Sequence, residues 1–172
     1  MNTDIIPVAT AGQIQTVANL ARDIWTGHYT PIIGRAQVDY MLDRFQSVPA
    51  IAAQIAQGCD YVLIQHEGEA LGYLALIPDS ESHALMISKI YVLPTARGLG
   101  LGCRLMAYAE NQARQRNLET LWLTVNKHNA TSIAWYRKRG FIQVRELVQE
   151  IGNGFVMDDY RMEKVLQGFA RA

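Results

Sequence analysis

Three glycines at alternate positions, Gly98, Gly100 and Gly102, stand between Ile87 to Leu93, a run rich in β-branched and aromatic residues, and a long stretch of helical periodicity. No other feature narrows the folds open to this chain as far, because strand, glycine turn and helix must follow one another within about twenty residues. Glycines at such a junction let the backbone come close to a ligand, and the first turn of the helix adds unpaired N–H donors and a positive dipole end. Together they predict a cradle for phosphate. Two common phosphate loops are excluded. There is no Gly-Lys-Ser/Thr ending, and Arg97-Gly98-Leu99-Gly100-Leu101-Gly102 lacks the G-x-G-x-x-G order of a dinucleotide fold.

Before the glycine turn, Ile5 to Ala9 reads as an opening strand and Thr10 as a helix cap. Ile14, Val17, Ala18, Ala21 and Trp25 recur at helical spacing, which predicts a first helix from about Ala11 to His28. Gly27 to Pro31 reads as a breaker-rich turn, followed by a second helical pattern through Val38, Tyr40, Met41, Leu42 and Phe45. Pro49 separates it from a third helix, Ala50 to Gln57, stopped by Gly58. From Asp60 the period changes to that of strands. Tyr61 to His66 and Ala70 to Ile77 form a hairpin through Glu67-Gly68-Glu69, and Ala84 to Leu93 follows a polar loop as the next strand.

The helix after the glycines carries Leu99, Gly102, Met106, Ala109 and Ala113 on one face and ends near Asn117. Thr120 to Val125 is reached through that helix, so it should lie parallel to the strand ending at Val92. Ala130 to Arg139 is a short helix stopped by Gly140. Phe141 to Glu150 and Phe155 to Leu166 close the chain as a hairpin around Gly152-Asn153-Gly154.

With 172 residues, the chain suits one domain, residues 1–172. Sixteen basic and sixteen acidic residues cancel, so no net field draws the protein to nucleic acid or to an anionic membrane. Apolar runs are too short for a spanning helix, and the first twenty residues have no basic leader, so a cytoplasmic location is expected. Cys59 and Cys103 lack metal spacing and read as reduced, mostly buried thiols; no metal is expected.

Arg97-x-x-Gly100-x-Gly102, preceded by Ile90-Tyr91-Val92 and Pro94, resembles the acetyl-CoA signature of the GCN5-related N-acetyltransferases. Leu121 to Val125 followed by Asn129, Ala130, Ala134, Tyr136, Gly140 and Phe141 is similar to the later motif of that family, in the same order. The resemblance covers about residues 60 to 166, its acetyl-CoA-binding core. It implies an α+β fold, a mixed and mostly antiparallel sheet of about seven strands with two splayed parallel strands and helices on both faces.

It also implies an acetyltransferase that moves an acetyl group from acetyl-CoA to a primary amine by direct attack in a ternary complex. The pantetheine arm would pair with Ile90, Tyr91 and Val92, and the diphosphate would rest on the N–H groups of Arg97, Gly98, Leu99, Gly100, Leu101, Gly102, Cys103 and Arg104. Asn129 would hydrogen-bond the pantetheine, and Tyr136 would protonate the departing thiolate. One departure stands out. The strand before the turn, Leu85-Met86-Ile87-Ser88-Lys89, lacks the glutamate that many members use as a base, which leaves water, Glu81 or His83 for proton removal.

The resemblance implies a small-molecule amine or a peptide amine as acceptor. The ending Asn153 to Met162 is similar to the branch that includes the PaiA-type polyamine acetyltransferases, and Asp158 and Asp159, like Asp39 or Asp43, would suit a cationic acceptor. Trp25, His28, Tyr29 and Tyr40 are further candidate contacts beside the alternative of core packing. Transfer to a protein amino terminus or lysine, and a non-catalytic acyl-CoA sensor, are the competing functions. Homodimer formation is left open.

Overall fold

The first helix shows how local chemistry sets an element. In the computed structural model, which describes residues 2–169, strand β1 (Thr3–Pro7) leads into α1 (Ala11–Ile33) through a capping box. The Gln13 amide donates to the Thr10 hydroxyl (3.2 Å), and the Thr10 amide donates back to Gln13 Oε1 (2.9 Å). Val17, Ala18, Leu20, Ala21, Ile24 and Trp25 form its buried face. The helix does not end at Gly27 to Pro31 as the sequence predicts; it runs on to Ile33 with Pro31 inside it. Pro31 falls in the last turn, so only the carbonyl of Gly27 loses its intrahelical donor, and both residues are exposed to water. The actual break is Gly34, at φ 84°, from which α2 (Arg35–Gln46) starts directly. Ser47 caps α3 (Val48–Ala56), with Pro49 in its first turn.

Strands β2 (Asp60–His66) and β3 (Glu69–Asp79) pair antiparallel. Glu67 (φ 52°) and Gly68 (φ 80°) make the two-residue turn that the right-handed twist of a hairpin favours. Strand β4 (Ala84–Val92) leads through one 3₁₀ turn, Pro94–Ala96, to α4 (Leu101–Gln115). Strand β5 (Thr120–Asn126), helix α5 (Ala130–Lys138) and strands β6 (Ile142–Gly152) and β7 (Phe155–Val165) complete the chain. In hydrogen-bonding order the sheet runs β1-β2-β3-β4-β5-β7-β6. The β1–β2, β2–β3, β5–β7 and β6–β7 ladders are antiparallel. The β4–β5 ladder is parallel and joins Ala84, Leu85 and Met86 to Thr120, Leu121 and Trp122. This is the mixed, mostly antiparallel α+β architecture predicted, with the parallel pair where it was expected.

The chain divides into two compact units. One holds the chain up to Ile77 together with Ser88–Ala109, and the other holds Pro78–Ile87 with the chain from Glu110 on. In the first, α1 to α3 accompany β1 to β3, and the tyrosines of the strands carry a buried polar chain. Tyr73 donates to Gln46 Oε1 (2.7 Å), Gln46 donates to the Tyr61 hydroxyl (3.0 Å), and Tyr61 donates to Gln54 Oε1 (2.5 Å). Each hydroxyl is thus satisfied, without which its burial would cost about 1–3 kcal/mol. In the second, Leu121, Leu123 and Val125 alternate inward along β5, and Lys164 on β7 pairs with Glu110 on α4 at 2.6 Å.

Candidate active site

The glycine turn is built as its sequence requires. Leu93 closes the end of β4 by donating to the Leu71 carbonyl (2.8 Å), and Pro94–Ala96 turn the chain toward Arg97. Gly98 (φ 90°) and Gly100 (φ 72°) take a backbone conformation that L residues rarely adopt, and a β-carbon at either would meet nothing within 4 Å. Open space therefore lies over this backbone. Arg104 N–H returns to the Gly100 carbonyl (3.2 Å), so α4 begins immediately after the turn. Its first turn holds Leu101, Gly102 and Cys103 and no acidic residue, and exposed Arg97 and Arg104 flank it. A positive helix end behind an open glycine turn, free of carboxylates and bounded in the chain by two arginines, suits an anion; the Arg104 guanidinium also donates to the Thr3 carbonyl (3.4 Å).

Two details differ from expectation. Leu99 is held between the positive-φ glycines rather than in the helix, and it is 47% exposed; the apolar face of α4 starts at Leu101. Cys103 is exposed rather than buried, because it falls on the solvent face of that first turn. Cys59 is buried, and burial pushes its thiol up to about 11.

Of the β4 residues, Tyr91 contributes its side chain elsewhere. Its hydroxyl meets that of Tyr29 at 2.9 Å, and its ring lies 5.6 Å from the rings of both Trp25 and Tyr73. The backbone of β4 is what remains for a ligand. Consecutive residues of a strand turn their N–H groups to opposite edges, so with Leu93 bonded to β3 the N–H of Val92 faces away from β3. Of the acceptor candidates in this unit, Trp25 is 3% exposed and packs edge-on against Tyr29 (5.7 Å). Tyr29 and His28 are half-buried and stack edge to face at 4.8 Å. Tyr40 is half-buried, Asp43 is exposed, and Asp39 is paired with Arg35 at 2.9 Å.

In the other unit Asn129 is buried and caps α5, accepting from the Ser132 amide (3.4 Å). Tyr136, on α5, is half-buried, with its ring edge-on to Trp135 (5.5 Å) and Phe141 (5.8 Å). The Tyr136 carbonyl takes the amides of Arg139 and Phe141, so the stop at Gly140 (φ 96°) fixes the ring's place. Asp158 is tied to Lys127 (2.9 Å), a bond that also raises the lysine's pKa. Asp159 is 3% exposed, and burial, with Asp158 beside it, lifts its carboxyl to about 6 against a hydrogen bond from Thr124. Glu81 and His83 are exposed in the turn after β3.

Sequence reasoning passed over Lys89. The residue keeps some exposure, yet its ammonium end is enclosed by protein, and burial lowers its pKa from the ordinary 10.5 to about 8. The signal was available, a lysine inside an otherwise apolar strand. Arg161, whose guanidinium lies 3.9 Å from the Trp122 ring centre, had no comparable signal. Among the described residues no cluster of three or more metal-ligating side chains occurs, and no helix is long and apolar enough to cross a membrane.

The sequence profile of the acetyltransferase (GNAT) family matches residues 16–141, and the chain belongs to that family. An IAA acetyltransferase of Azospirillum brasilense is 36% identical over 81 residues, 47% of this chain and 53% of that protein. A streptothricin acetyltransferase of Streptomyces lavendulae is 37% identical over 81 residues, 47% of this chain and 43% of that one. The matched stretch thus spans about half the length of these curated relatives. Among solved structures, the PaiA N-acetyltransferase of Thermoplasma acidophilum in complex with coenzyme A shares the fold. It has a TM-score of 0.81 at 18% identity, over 96% of this chain and 100% of the other.

Proposed function

We propose that this protein transfers an acetyl group from acetyl-CoA to a primary amine by direct attack within a ternary complex. The observation that carries this is the open cradle at Gly98 and Gly100, leading into the carboxylate-free first turn of α4 between Arg97 and Arg104. A diphosphate on the backbone from Gly98 to Gly102 would fill it, as membership of the family leads one to expect, since the N–H groups of Arg97 and Arg104 are bonded to the Pro94 and Gly100 carbonyls. The pantetheine arm extends β4 at Ile90 and Val92, with the Val92 N–H directed at the thioester carbonyl, where it stabilises the developing oxyanion. Asn129 supports the pantetheine and Tyr136 protonates the leaving thiolate. Acyl transfer of this kind depends chiefly on placing amine and thioester together.

The acceptor is a small amine, a polyamine, because a buried carboxylate, Asp159, is charged at neutral pH and would hold a second ammonium of the same molecule. Asp158, already paired with Lys127, is the weaker contact of the two. Within the first unit, His28 and Tyr29, with their half-exposed rings, and Trp25 are further candidate contacts for the amine.

Two measurements test this. In Gly100→Glu a carboxylate enters the space meant for the diphosphate, and calorimetric titration is expected to show acetyl-CoA binding lost. Unchanged affinity in the folded variant refutes the coenzyme site. Thiol release from acetyl-CoA should then give a higher kcat/KM for spermidine than for a monoamine of similar length; equal values turn the assignment to peptide amino termini.

A further inference from the structure

We propose that the ε-amine of Lys89 takes the proton from the acceptor amine, in place of the carboxylate that β4 lacks; this rests on the acetyl-CoA reading above. Lys89 precedes Ile90 and lies three residues from Val92, the backbone assigned to the thioester. Its nitrogen curls back to the Ser88 carbonyl and the Ser88 hydroxyl, both at 3.1 Å. Successive side chains leave a strand on opposite faces, so a bond to the neighbouring hydroxyl means that the lysine stem folds along the strand instead of pointing out from it. The amine is thus held at the part of β4 past Met86, where the parallel ladder to β5 ends.

No carboxylate of the described residues pairs with Lys89. The Cys59 thiol at the foot of β2 acts on it directly and is kept neutral by its own burial, with Asp60 beside that thiol, and the Tyr91 hydroxyl further along β4 is bonded to Tyr29. An enclosed ammonium without a counter-ion is disfavoured, and burial brings Lys89 down to about 8, close to the range in which a general base works. Once protonated, it has the two Ser88 oxygens in place as acceptors.

The proton balance closes. The acceptor ammonium gives one proton to neutral Lys89, and its freed lone pair forms the C–N bond at the thioester carbonyl. The C–S bond breaks with its electron pair on sulfur, and the second nitrogen proton reaches that thiolate through Tyr136. Lys89 then returns its proton to solvent.

The test compares wild type, Lys89→Met and Lys89→Arg, with spermidine as the amine and an alanine-headed peptide as a second probe. Both variants are expected to keep the wild-type acetyl-CoA affinity and to lose about 10²- to 10⁴-fold in kcat. The wild-type acidic limb should inflect near 8, and in both variants it should move toward about 10.4, the ionisation of a free aliphatic amine. Arginine keeps the charge but cannot act as a base, so near-wild-type turnover in Lys89→Arg overturns the proposal. So does an unmoved pH profile in Lys89→Met. If wild type fails to bind acetyl-CoA, the coenzyme site falls first and this inference with it; binding with unchanged profiles removes this inference alone.

Discussion

Lys89→Met should make the protein more stable, by an amount that depends on pH in a defined direction. Burial takes the lysine from 10.5 to about 8. At about 1.4 kcal/mol for each pH unit, carrying its charge in the folded state costs about 3 kcal/mol. Because the folded pKa lies below the unfolded one, the unfolded chain binds the extra proton between pH 8 and 10.5. Stability of the wild type therefore rises with pH across that window, and the full cost is present below it. Methionine has similar volume and no charge, so the advantage of the variant is largest at pH 7 and shrinks as pH climbs toward 10.5. Urea unfolding of both proteins at pH 7, 8, 9 and 10 measures this, since groups common to both cancel in the difference. A gap that stays constant from pH 7 to 10 would refute the claim that Lys89 is held with a depressed pKa, whatever the kinetics show.

Three more outcomes are expected. Tyr136→Phe keeps its packing on Trp135 and Phe141 and its acetyl-CoA affinity, but kcat drops by about 10²- to 10⁴-fold; equal rates with chemistry limiting would make the tyrosine structural. Asp159→Asn gains stability at neutral pH, because burial that raises a carboxyl pKa stabilises the fold below the unfolded value and that contribution is lost as pH rises through about 6. The same variant should raise KM for spermidine, and chemical denaturation beside steady-state kinetics reads both effects. In wild type the spermidine KM should itself climb as pH falls through about 6, a trend that Asp159→Asn abolishes.

The backbone of the candidate site was legible where it is local. The glycine turn declares itself through residues adjacent in the chain, and Asn153 (φ 54°) with Gly154 (φ 76°) makes the closing hairpin as that pair of residues predicts. The parallel β4–β5 pair follows from the intervening helix. What stayed hidden depends on surroundings. Pro31 reads as a breaker, yet a proline in an exposed last turn costs the helix only one bond. Leu99 fits the helical period of its neighbours until the φ angles on either side of it are known. Lys89 reads as a lone charge in a strand, and only burial without a counter-ion turns it into a candidate base. Asp158 and Asp159 look alike in sequence, whereas one is spent on Lys127 and the other is enclosed.

Strand β6 has a bearing on how this protein behaves at high concentration. It is the outermost strand of its side of the sheet, eleven residues long and exposed over most of its length, including Ile142, Val144 and Val148. An unbroken edge of that kind is a template for fibril growth. Its pairing with β7 is irregular at Gln143/Arg145 and again at Glu150/Gly152, so the regular stretch is confined to Arg145 through Glu150. That segment carries Arg145, Glu146 and Glu150. A second strand approaching it would find a short run in which charge surrounds Val148, while Ile142 and Val144 lie outside it and out of step.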